Sequence, residues 1–228
     1  MKHSGKARKA AFSLVLWTLV GMAALFVAGF IATIVGTLIS FLSVSLVFVW
    51  IIFVLFTFYF FRDPNPRVPA APRIIVSPAH GKVDVIDETI EPLFMGGSCK
   101  RISIFLSVMN IHVQNAPVSG RLVFYRYSIG QFLNALKTES AALNENLLLG
   151  FDASDPAGTK IGVRLIAGLI ARRIVPFVNQ NDDVLRGERI SLIQFGSRTD
   201  LYLPLNAVVK IKLGDHVVGG ETIVASFE

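Results

Sequence analysis

From Ala11 to Phe61 the chain carries no Asp, Glu, Lys, Arg or His. One bilayer crossing needs roughly 20 apolar residues, so a run of this length predicts two membrane helices joined by a tight turn. The turn is expected at Gly36–Ser40, where small and polar residues would let the chain reverse. A signal peptide fits poorly, because its apolar core is only about 7–15 residues long. Beyond the run the period changes. Residues 62–73 hold four prolines and three arginines, which predicts a stiff linker. Residues 73–76 and 82–86 then read as strands flanking the turn Ser77-Pro78-Ala79-His80-Gly81, and residues 101–106, 160–174 and 188–195 as further strands, with Gly162 and Gly168 as bulges. Residues 129–136 read as a short helix and 137–150 as a loop or frayed helix.

These patterns divide the chain into a basic tail (1–10), a membrane hairpin (11–61), a linker (62–73) and one domain (74–228) of mainly β, α+β class, large enough for its own core. The segment Val208–Ala225 has a strand, Gly-Asp turn, short strand, Gly turn and strand. It resembles half of a biotinyl/lipoyl-type barrel-sandwich, and Ser77–Ile86 resembles the other half. No lysine occupies a central carrier hairpin, which disfavours a swinging-arm role.

With 53% hydrophobic residues and a mean hydropathy of +0.59 the chain is too apolar for an ordinary soluble domain. Lys2, Lys6, Arg8 and Lys9 precede the apolar run, and Arg62, Arg67 and Arg73 follow it. Basic flanks on both sides favour a hairpin with both ends in the cytoplasm, spanning the bilayer rather than lying in one leaflet. The net charge of +6 then points to anionic lipid headgroups. The basic residues form no aromatic-basic module, so nucleic acid is not expected. Cys99 is the only cysteine, which rules out an intrachain disulfide. No metal site is expected, since no His-Glu-x-x-His spacing is present.

The dipeptide Gly196-Ser197 stands near the C-terminus, with Gln194, Arg198 and Asp200 around it. Most Gly-Ser pairs are turns. In a strained backbone, however, a serine hydroxyl can attack the preceding carbonyl, and glycine places no side chain in the way. The N-to-O acyl shift gives an ester; β-elimination leaves dehydroalanine, which hydrolyses to a pyruvoyl group at a new N-terminus.

Four segments resemble the short, membrane-associated form of phosphatidylserine decarboxylase: Phe60–Pro66, Ser77–Val83, Ile104–Gly120 and Phe195–Pro204. The resemblance covers residues 60–228. It implies cleavage between Gly196 and Ser197 into a β chain (1–196) and an α chain (197–228), held together as a heterodimer whose further oligomerisation is left open. It implies a covalent pyruvoyl cofactor made from Ser197, which forms a Schiff base with phosphatidylserine and releases CO2 and phosphatidylethanolamine. His112 matches the family's acid/base histidine. The implied location is the inner cell membrane, with the catalytic domain on its cytoplasmic face.

One position departs from the family pattern: His80 stands where Pro-Ala-Asp-Gly has its aspartate. A neutral imidazole can accept a proton but lacks a fixed negative charge for orienting another histidine. His80 is therefore a tentative site residue, and the change leaves open an unprocessed, degenerate homologue. A membrane-tethered, non-enzymatic barrel-sandwich adaptor is the other alternative.

Overall fold

The structure, a computed structural model, describes residues 6–130, 144–168, 173–194 and 197–228. It divides into two compact units, Met1–Thr57 and Phe58–Glu228. The apolar run corrects the hairpin expectation: it forms one continuous helix, α1 (Lys6–Phe60). No proline interrupts it. Across the expected turn, the Thr37 hydroxyl donates to the Thr33 carbonyl at 2.8 Å and Ser43 to Ile39 at 2.9 Å. A reversal there would leave the terminal N–H and C=O groups of two helices unpaired, and residues 36–40 offer no Pro, Asn or Asp to compensate. A glycine inside a helix costs only about 1 kcal/mol, too little to force the break. Phe12–Phe60 is long and apolar enough to cross a membrane, and large side chains such as Phe26 and Phe30 point outward, consistent with membrane association.

The second unit is β-rich. Its strands are β1 (Ile74–Val76), β2 (Gly81–Glu91), β3 (Gly97–Leu106), β4 (Val113–Asn115), β5 (Gly120–Ser128), β6 (Asn146–Ser154), β7 (Ala157–Ala167), β8 (Ile174–Pro176), β9 (Asp183–Val184), β10 (Arg189–Ile193), β11 (Ser197–Leu203), β12 (Val208–Val209), β13 (His216–Val217) and β14 (Ile223–Ser226). They form an eight-stranded curled sheet, ordered β13-β2-β3-β11-β7-β6-β5-β9, and two three-stranded sheets, β4-β10-β8 and β1-β14-β12. The pairs β1–β14 and β2–β13 join the segment around Ser77–Ile86 to the C-terminal segment.

Several local expectations change. The strand expected over 160–174 is two, β7 and β8, in different sheets. Gly162 sits in regular register opposite Gly150 and Tyr202; it is small because a Cβ would meet the Tyr202 side chain at 3.2 Å. Gly168 lies beyond the end of β7. The bulges fall elsewhere, between Val83 and Val85 and between Leu122 and Phe124. Residues 146–150, read as loop or frayed helix, belong to β6 because Leu147 and Leu149 point into the core. Most of the helix expected at 129–136 lies outside the described residues.

Period-2 alternation fills the core. Ile102, Ile104 and Leu106 of β3 meet Leu201 and Leu203 of β11 and Val163 and Leu165 of β7. Burying each such side chain stabilises the fold by about 1.5–3 kcal/mol. Gly81 marks a close approach, since a Cβ there would lie 2.2 Å from the Phe105 carbonyl oxygen, which is backbone and cannot swing away. Gly81→Ala is therefore expected to destabilise the β-rich unit by about 1–3 kcal/mol, read as a lower denaturant midpoint.

Candidate active site

Three neighbouring strands of the large sheet, β3-β11-β7, continue into three neighbouring strands of a small one, β4-β10-β8. The chain passes between the sheets three times: from Leu106 to Val113, from Ile193 to Ser197, and from Ala167 to Ile174. On one side Leu106, Ser197 and Ala167 form the last rung; on the other Val113, Leu192 and Val175 are in register. These crossings define a seam where the regular ladder stops. Two of the predicted site residues, Ser197 and His112, lie on it.

Ser197 opens β11 and is fully buried. Its hydroxyl, like that of Thr199 on the same face, is buried with no hydrogen-bond partner among the described residues. A buried, unsatisfied hydroxyl costs roughly 1–3 kcal/mol. Gly196, the other half of the expected cleavage site, lies outside the described residues.

His112 is fully buried in the crossing from β3 to β4. Its main-chain carbonyl accepts from Ile193 N at 3.1 Å and from Gln114 Nε2 at 2.7 Å, so the backbone of the histidine segment is bonded to the end of β10, where the chain sets out for Ser197. Its Nδ1 lies 2.9 Å from the Asn110 carbonyl oxygen. A carbonyl only accepts, so Nδ1 carries the proton and Nε2 the lone pair. The ring packs against Phe60, centroids 4.2 Å apart at 31°. Burial lowers the His112 pKa to about 4; the Asn110 bond opposes this, while Arg62 and His80 reinforce it. At neutral pH this histidine is an oriented, uncharged base.

His80 ends the turn between β1 and β2. It is half-buried against a cavity of about 210 Å³ lined also by Asp63, Ile111, Asn115, Val218 and Glu221. Burial again lowers its pKa, Glu221 and Asp63 oppose, and Arg62 adds to the lowering. His80 adds to the lowering at His112, and both histidines favour the neutral form. Because the Asn110 carbonyl holds the His112 tautomer, no carboxylate at position 80 is needed for that purpose.

The opposite face of β11 carries a feature that was not readable from the sequence. Arg198 is 1% exposed and pairs with Asp84 of β2 through two bonds of 3.0 and 2.5 Å. Asp84 had no assigned place beforehand, as spacing along the chain does not reveal a partner two strands away. Asp200 is buried too. Burial raises its pKa, and Arg198, Arg101 and Arg164 counter that rise. These residues hold the strand behind Ser197; they do not face the seam's core side. His216 is exposed at the start of β13.

A buried serine at a strand start, beside a crossing that carries an oriented neutral histidine, defines a site for nucleophilic and acid–base chemistry without a metal cluster among the described residues. Residues 53–225 match the model of the phosphatidylserine decarboxylase family. The chain is 43% identical over 179 residues to a phosphatidylserine decarboxylase proenzyme of Desulfotalea psychrophila, covering 78% of this chain and 83% of that one. It is 42% identical over 174 residues to the proenzyme of Ruegeria pomeroyi, covering 75% and 78%. The chain belongs to the phosphatidylserine decarboxylase family of carboxy-lyases.

The depressed His112 pKa has a consequence for stability. The unfolded chain takes up a proton as pH falls through about 6.5, whereas the folded chain does so only near 4. The contribution is complete above about 6.5 and is lost progressively down to about 4, on the order of 3 kcal/mol. His112→Asn in a Ser197→Ala background should flatten the loss of stability across that window, measured by denaturant titration at each pH. An unchanged slope would place His112 in a hydrated setting.

Proposed function

We propose that the chain is a proenzyme that cleaves itself between Gly196 and Ser197, leaving a β chain of residues 1–196 and an α chain of residues 197–228. The observation that carries this reading is the buried, unpartnered hydroxyl of Ser197 at the edge of the seam. Its oxygen attacks the Gly196 carbonyl carbon, and the Gly196–Ser197 amide becomes an ester with a free amine on residue 197. Loss of the Ser197 Cα proton expels the Gly196 carboxylate, and water converts the remaining dehydroalanine into a pyruvoyl group and ammonia. A hydroxyl with no hydrogen-bond partner among the described residues fits this use, since no such bond must be broken before it attacks.

The pyruvoyl group supplies a carbonyl that can form a Schiff base with the amine of phosphatidylserine and withdraw electrons as CO2 leaves. His112 accepts a proton at Nε2 and returns it to the carbon that has lost CO2. Its low pKa makes it a ready donor once charged. His80 serves as the proton acceptor in self-cleavage, in the aspartate's position. The products remain together as an α/β heterodimer because the α chain begins with β11, bonded on both edges. The β1–β14 and β2–β13 pairings support the barrel-sandwich reading of the domain. The apolar helix and its basic flanks favour the inner membrane with the domain on the cytoplasmic side, where the anionic substrate resides.

Intact mass separates the alternatives. The wild-type protein should yield two chains with a blocked α N-terminus, and Ser197→Ala a single chain of 24.9 kDa with no CO2 released from phosphatidylserine vesicles. His112→Asn should lower decarboxylation by about 10²–10⁴-fold. A wild-type protein that stays whole until His80→Asp restores cleavage would instead identify an unprocessed homologue.

A further inference from the structure

Beside the seam lies an exposed apolar patch that the proposed chemistry does not use. Ser107–Ile111 forms a tight turn: Asn110 Oδ1 accepts from the Ser107 amide at 2.9 Å and its hydroxyl at 2.8 Å, and Asn110 N donates to the Ser107 carbonyl at 2.9 Å. The turn presents Val108 and Met109 at its tip, 38% and 55% exposed. The Met109 carbonyl is held at 2.7 Å by Arg62 Nη2 and at 3.2 Å by the Tyr59 hydroxyl. The Arg62 guanidinium also sits 3.9 Å over the Tyr59 ring and donates to the Tyr59 carbonyl at 2.7 Å. Tyr59 and Phe61, 42% and 40% exposed, complete the patch.

Two of these residues say what covers it. Tyr59 lies within the last turn of α1 and Phe61 follows directly, so the patch is continuous along the chain with the apolar helix. A tyrosine and an arginine at the end of an apolar helix match the chemistry of the headgroup level, where aromatic rings and basic groups concentrate. We propose that Val108, Met109, Tyr59 and Phe61 insert at the headgroup–acyl boundary of a phospholipid bilayer and dock the His112 side of the seam onto its surface. Arg62 is the tie: it fixes the tip to the end of the helix, and Asn110, which shapes the tip, also holds the His112 imidazole.

This rests on the reading of α1 as a membrane helix and of a bilayer phospholipid as substrate. A depth measurement tests docking without requiring cleavage or turnover, so either idea can fail while the other stands. Cys99 is buried, with its thiol pKa raised by burial, and leaves a single introduced cysteine to react. Met109→Cys, and separately Val108→Cys, would carry an environment-sensitive fluorophore on the full chain in phosphatidylcholine/phosphatidylglycerol vesicles. Ile90→Cys is the control, 72% exposed and placed by β2 about 30 Å from Gly81. The expected result is a blue shift at 109 and 108, with several-fold stronger quenching by a shallow spin-labelled lipid than at 90. Equal quenching at both ends of the domain would overturn the proposal. A blue shift without lipid quenching would also overturn it, assigning the patch to a protein surface instead.

Discussion

The position of β11 constrains the rest of the domain. It is hydrogen-bonded to β3 on one edge and β7 on the other, and all seven of its residues are buried. Its core face carries Ser197, Thr199, Leu201 and Leu203. Its other face carries Arg198 and Asp200 within an ion network that reaches Asp84. A strand fixed on two edges and two faces has little freedom to move its first residue. That fixity would suit the proposed self-cleavage, in which the Ser197 hydroxyl must reach one particular carbonyl. The same bonds would keep the last 32 residues (197–228) in place once the chain no longer held them covalently.

The seam places a break in the ladder directly before so rigid a strand. Ladder pairing ends at Ile193 on β10 and resumes at Ser197 on β11. The parallel crossing from Leu106 to Val113 brings His112 to the same break, and the bond from Ile193 N to the His112 carbonyl ties the two crossings together. Cleavage between Gly196 and Ser197 would remove no strand and no part of the core.

The four family-like segments were readable because each carries unusual residue types at short spacing. The structure shows what separates them in space: Ser77–Val83 borders the His80 cavity, Ile104–Gly120 carries the histidine crossing, and Phe195–Pro204 opens into β11. What could not be read was pairing between distant strands. The Asp84–Arg198 bond depends on sheet order, and β7 and β8 read as one strand because both are apolar and Gly168 between them reads equally well as a bulge. The hairpin failed for a different reason. Hydropathy measures how much chain a bilayer could accommodate, whereas a turn must satisfy exposed backbone groups; at Gly36–Ser40 the Thr37 hydroxyl is bonded inside the helix, to the Thr33 carbonyl.

The substitution at position 80 looks less disruptive in this setting than in the sequence. An aspartate beside a catalytic histidine does two things: it fixes the tautomer and stabilises the charged ring. The first is already done by the Asn110 carbonyl, 2.9 Å from Nδ1. The second is not replaced. A neutral His80 supplies no negative charge, and Arg62 opposes protonation of both rings. The charged form of His112 is therefore disfavoured at neutral pH. Under the proposed mechanism, in which His112 returns a proton to carbon and His80 accepts the one released in self-cleavage, that instability favours the return to carbon. Under the same proposal the missing negative charge bears on self-cleavage, where His80 stands in the aspartate's position, rather than on the His112 step repeated at every turnover.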